Sequence, residues 1–71
     1  MITLEQIGAF CRVTREKLGY LQRDVAQEIG CSKENISAFE NGRNNNALIL
    51  FWYVEHGLML IKDPEATHND N

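Results

Sequence analysis

Along residues 1–43 the apolar positions recur at spacings of three and four, as they do in helices that bury one face. Val25, Ala26 and Ile29 share one side of a helix that begins near Gln22. It must stop at Gly30, because glycine accepts the left-handed backbone that follows a helix, and Ser32 can cap a second helix from Lys33 onward. In that second helix Ile36 and Phe39 turn inward, which leaves Lys33, Glu34, Ser37, Ala38 and Asn41 outward until Gly42 ends it. Upstream, Thr3 and Gln6 form a capping-box pair, so a first helix is predicted from about Leu4 to Leu18, with Ile7, Phe10, Cys11, Thr14 and Leu18 on its apolar face.

Two short helices joined by a few residues with glycine at the turn describe a helix-turn-helix, whose second helix enters the major groove of DNA. Ile7, Gly8, Arg12, Arg15, Gly19 and Gln22, followed by the run Phe39-Glu40-Asn41-Gly42-Arg43, extend the pattern over residues 7–43. On these residues the chain resembles the lambda-repressor and Cro-like helix-turn-helix family of phage and bacterial regulators. The resemblance implies an all-α domain of four to five helices, with the helix-turn-helix at helices 2 and 3. It also implies that Arg15 and Glu40 pair between helix 1 and the end of helix 3, as a guanidinium fork matches a carboxylate.

Beyond Asn44-Asn45-Asn46, read as a linker, residues 47–54 (ALILFWYV) are apolar without interruption and Leu58–Ile61 add a second run. This is too short and broken for a membrane span, which needs about 20 apolar residues. Read as a helix, it turns Leu48, Phe51 and either Trp52 or Val54 inward and leaves part of Ile49, Leu50, Trp52 and Tyr53, with Leu58 and Met59, for a partner subunit. A strand over Leu58–Ile61, or over part of 47–54, pairing across a dimer axis fits the same run. Pro64 closes the ordered part, so residues 1–62 are expected to form the domain and 63–71 a disordered polar tail.

Length and charge sharpen this picture. Seventy-one residues make one domain near the lower limit of a self-sufficient core, which favours a homodimer. Apolar content of 44% and the lack of a signal-like N-terminus point to a cytoplasmic protein. The net charge of −3 runs against a nucleic-acid role, but it has a location. Residues 1–43 balance Arg12, Arg15, Lys17, Arg23, Lys33 and Arg43 against Glu5, Glu16, Asp24, Glu28, Glu34 and Glu40, whereas the remainder sets Lys62 against Glu55, Asp63, Glu65 and Asp70. Cys11 and Cys31 have no metal-ligand spacing and read as small buried residues; His56 and His68 lack companions for zinc. No cofactor is implied, and no nucleophile and base pair to suggest an enzyme.

Candidate DNA contacts follow from side-chain chemistry. Lys33 can donate to the outer edge of guanine and Glu34 can accept from the cytosine amino group, although both could equally be a solvated helix start. Ser37 and Ala38 lie one turn further along the same face. Gln22 and Ser32 at two helix starts, and Asn41, Arg43, Asn44 and Asn45 behind the groove helix, can meet backbone phosphates; Gln22 could also serve as a cap. The expectation is a sequence-specific regulator, a repressor that binds double-stranded DNA as a dimer. A module of the same fold that binds a protein, such as an antitoxin or a phage-encoded inhibitor, is the alternative.

Overall fold

A computed structural model describes residues 1–58. They form four helices: α1 (Leu4–Leu18), α2 (Gln22–Ile29), α3 (Lys33–Glu40) and α4 (Ala47–Glu55). The described part is all-α, and α2 and α3 form the helix-turn-helix. Met59, the end of the Leu58–Ile61 run and the 63–71 tail lie outside the described residues.

Local chemistry sets each boundary. The Thr3 hydroxyl accepts from the Gln6 N–H at 3.1 Å while the Gln6 side chain accepts from the Thr3 N–H at 2.9 Å, closing the capping box of α1. Gly30, at φ 91°, ends α2 and its N–H donates to the Ala26 carbonyl. Two residues later the Ser32 hydroxyl accepts from the Asn35 N–H and opens α3. The Asn triplet is more than a linker. Asn46 caps α4 by accepting from the Leu48 N–H at 2.9 Å, and Asn44 accepts from the Asn46 N–H while donating to the Asn35 carbonyl.

The core gathers Cys11 from α1, Val25 and Ala26 from α2, Ile36 and Phe39 from α3, and Ile49, Trp52 and Tyr53 from α4. Leu18, expected on the inner face of α1, is exposed at its last turn, and Thr14 instead returns its hydroxyl proton to the Phe10 carbonyl. The larger correction concerns α4. Leu48 and Phe51 face outward, whereas Ile49, Trp52 and Tyr53 are buried and Leu50 and Leu58 pack against the core. The pattern leaves Trp52 or Val54 as the inward residue and gives part of Ile49, Leu50, Trp52 and Tyr53, with Leu58, to a partner surface; within one chain Ile49, Trp52 and Tyr53 are interior, Leu50 and Leu58 partly so, and Val54 is exposed. Polar handles select the phase: the Tyr53 hydroxyl donates to buried Glu40, and the Trp52 indole N–H donates to Glu28 at 2.8 Å. A helix that is apolar on every side offers periodicity no way to make that choice.

Beneath this layer lies a buried polar cluster. Arg15 donates from Nε and Nη2 to the two Glu40 carboxylate oxygens at 2.8 and 3.1 Å, and from Nη1 to the Tyr20 carbonyl at 2.9 Å. Gln22 and Tyr53 also donate to Glu40, so the carboxylate accepts four bonds. The bond to Glu40 holds Arg15 further toward its charged form, against the opposing effect of burial.

Burial, reinforced by Glu40, pushes the Cys11 thiol up from 9.0 to about 12 and raises the Tyr53 phenol as well. Both groups keep their protons longer in the folded state than in the unfolded one. The stabilisation they supply is therefore complete below the unfolded pKa values and is lost as pH rises through the folded ones. Urea melts are expected to show stability falling above about pH 9, at about 1.4 kcal/mol per pH unit for each such group. Cys11→Ala should flatten the onset. A pH-independent midpoint between pH 8 and pH 11 would contradict the assignment.

Candidate nucleic-acid interface

The outer face of α3 is polar because its apolar residues are spent on the core. Ile36 is fully buried and Phe39 nearly so, which turns Lys33, Glu34 and Asn41 to solvent and leaves Ser37 and Ala38 half-buried along the same side. Asn41 folds its amide back onto the Ser37 carbonyl at 2.8 Å. Lys33 and Glu34 stand in the first turn, the end of a groove helix that reaches base edges.

Beside that turn runs an open groove of about 460 Å³, lined by Arg15, Leu21, Gln22, Arg23 and Lys33. It brings the first turns of α2 and α3 together. Amides in the first turn of a helix lack intrahelical acceptors, so the N–H groups there are available to an anion. Arg23 joins Lys33 in this groove, a contribution that apolar periodicity could not reveal. The usable signal was its place directly after Gln22 in the first turn of a capped helix.

Among the described residues Arg23, Lys33 and Arg43 make no ion pair, whereas Arg12 pairs with Glu16 and Arg15 with Glu40. Four of the six acids that balance them in the sequence have partners, and Glu5 and Glu34 make no side-chain hydrogen bond or ion pair among the described residues. Glu40 is buried, Glu16 holds Arg12, Glu28 accepts from Trp52, and Asp24 accepts from the Leu21 N–H at 2.9 Å. A head that is neutral by count therefore carries cations without ion-pair partners beside the groove helix, with Asp24 in the first turn of α2 and Glu34 in that of α3 the acids nearest in sequence.

Several expected backbone contacts are rearranged. The Gln22 amide donates one of its two N–H groups to Glu40, and its main-chain N–H stands in the first turn of α2. Ser32 uses its hydroxyl as the α3 cap, and Asn44 is engaged on both sides of its amide. Arg43 and Asn45 remain exposed past the end of α3. Among the described residues no helix is long and apolar enough to cross a membrane.

Comparison with known proteins agrees with this architecture. A family model described as a helix-turn-helix domain matches residues 6–47. Among curated proteins, the antitoxin HipB of Escherichia coli (strain K12) is 28% identical over 74 residues, an alignment that covers 93% of this chain and 84% of the relative. No solved structure matches.

Proposed function

The chain belongs to the helix-turn-helix domain family, and from that premise we propose that it is a sequence-specific, DNA-binding transcriptional regulator of the Cro or phage-repressor kind. In this reading residues 1–62 bind an inverted-repeat operator as a dimer in the cytoplasm, 63–71 are a polar tail, and occupancy alone blocks a promoter. The observation that carries it is the groove shared by α2 and α3, where Arg23 and Lys33 are unpaired while most nearby acids serve the fold. Lys33 donates to guanine, Glu34 accepts from cytosine, and Ser37 and Ala38 touch the next base pair. The main-chain amides at the start of α2, with Arg23, Arg43, Asn41 and Asn45, hold phosphates and set the register.

Selection of bound sequences from random duplex DNA at two salt concentrations tests this. Two inverted half-sites should emerge, centred about 34 Å apart, one helical turn. Lys33→Ala should relax one position in each half-site and cost about 1–3 kcal/mol for every bidentate pair it removes, whereas Arg43→Ala should weaken all sequences alike. Binding that fades smoothly with salt and enriches no sequence would overturn the regulator reading.

A second reading is favoured by the similarity to an antitoxin and by the net charge of −3. Here the chain pairs with a protein through its C-terminal half. The two readings are compatible, and a partner captured without loss of operator binding would support both.

A further inference from the structure

Asn41 is the one asparagine of this chain that is followed by glycine, and it stands exposed at the C-cap of α3. Such a pair carries its own chemistry. The Gly42 nitrogen can lose its proton and attack the Asn41 Cγ, forming an N–Cγ bond as the amide nitrogen leaves as ammonia, and water then opens the five-membered imide to aspartate or isoaspartate. Glycine favours the attack because no side chain shields its nitrogen and its backbone turns freely.

The native fold bars this step despite the exposure. Ring closure requires the Gly42 nitrogen to eclipse the Asn41 Cβ about the Cα–C bond, but at ψ 7° it eclipses the Asn41 nitrogen instead, about a third of a turn away. Both reacting groups are also tied down. The Gly42 N–H donates to the Phe39 carbonyl at 3.1 Å, and the Asn41 side-chain amide donates to the Ser37 carbonyl at 2.8 Å. Nor can the loop swing round by itself. The Arg43 N–H is held by the Ala38 carbonyl at 2.8 Å, Asn44 donates to the Asn35 carbonyl, and Gly42 lies so close to α1 that a Cβ there would sit 2.8 Å from the Glu5 main chain.

We propose that Asn41-Gly42 is a modification site gated by unfolding: the native domain protects it, and a chain that opens is exposed to spontaneous deamidation there. The product marks the chain against return. Aspartate at position 41 has no donor for the Ser37 carbonyl, and it sets a negative charge at the end of α3, where the helix dipole is already negative. Isoaspartate also adds a carbon to the main chain between Glu40 and Gly42, in a turn seated on Glu5. The adjoining residue is Glu40, so the damage falls where the helices are fastened together. None of this depends on what the domain binds.

Peptide mapping by mass spectrometry tests it on the full chain, held at mildly alkaline pH in buffer or in guanidinium chloride. In denaturant Asn41 should convert faster than Asn35, Asn44, Asn45 or Asn46. In buffer it should convert at least about a hundredfold more slowly than in denaturant, because open chains are a small minority. Val25→Ala, which truncates a buried side chain of α2 far from the turn in sequence, should speed conversion in buffer by the factor by which it shifts the unfolding equilibrium, and low guanidinium should do the same to the unsubstituted chain. Asn41→Asp should melt at lower urea concentration than the parent, whereas Asn45→Asp, which adds the same charge at another exposed position, should melt nearly where the parent does. Equal rates in buffer and denaturant would overturn the proposal, as would faster conversion of another asparagine in denaturant. A rate in buffer indifferent to both Val25→Ala and low guanidinium would mean that the turn opens alone, which also overturns it, and so would an Asn41→Asp variant as stable as the parent.

Discussion

Glu40→Ala should leave the domain at or near the edge of unfolding at 25 °C. The substitution strips the counter-charge from Arg15 and removes the shared acceptor of Gln22 and Tyr53 in one step. Breaking a buried pair from one side costs about 3–5 kcal/mol, because the remaining charge is left in a poorly polarisable interior. At 0.05–0.15 kcal/mol per residue, a chain of this length has only about 4–10 kcal/mol in all. Arg15→Ala should cost a similar amount. Removing both charges should cost less than the two single penalties added together, but it will not be neutral, because Gln22 and Tyr53 lose their acceptor too. Tyr53→Phe should be milder, since Glu40 keeps three of its four donors. Urea melts followed by circular dichroism measure all four, and strictly additive penalties would refute the coupling.

Gly8→Ala should destabilise by about 1–3 kcal/mol or more, although helix propensity alone predicts the reverse by about 1 kcal/mol. Gly8 lies inside α1 against the last turn of α3. A Cβ there would sit 2.6 Å from the Phe39 carbonyl oxygen and 2.7 Å from the Glu40 carbonyl carbon, and closer still to the Glu40 carbonyl oxygen. These are backbone atoms that cannot rotate away. Relief requires α1 and α3 to separate, which would lengthen the bonds between Arg15 and Glu40. Steric cost therefore outweighs propensity, and Gly8→Ser should be no better tolerated. A stabilised Gly8→Ala variant would mean that α1 is free to shift.

The sequence revealed the elements that carry strong local signals. Thr3, Gln6, Gly30 and Ser32 mark helix ends by their own hydrogen-bonding chemistry, so α1, α2 and α3 begin and end where the pattern puts them. The outward set on α3 followed from Ile36 and Phe39 alone. What stayed hidden depended on contacts distant in sequence. The phase of α4 is set by Tyr53 reaching Glu40, thirteen residues earlier, and by Trp52 reaching Glu28, twenty-four earlier. Arg23 was likewise hidden, because a charge count cannot tell which cations have found partners. The role of the Asn triplet is not legible in the sequence, because a polar run reads as a connector until one member is seen to cap a helix.

The four-way acceptor at Glu40 also governs how the molecule opens. Its donors come from α1, the start of α2 and α4, while Glu40 itself closes α3. No helix can lift away without exposing a buried charge or orphaning a buried donor, so partial openings carry much of the cost of complete unfolding. Backbone amides in the interior of all four helices should then share one ceiling of hydrogen-exchange protection, the mark of a single cooperative unit. An eight-residue helix in isolation is mostly unfolded in water. Through this one carboxylate, α3 takes on the rigidity of the entire domain and can meet DNA already ordered.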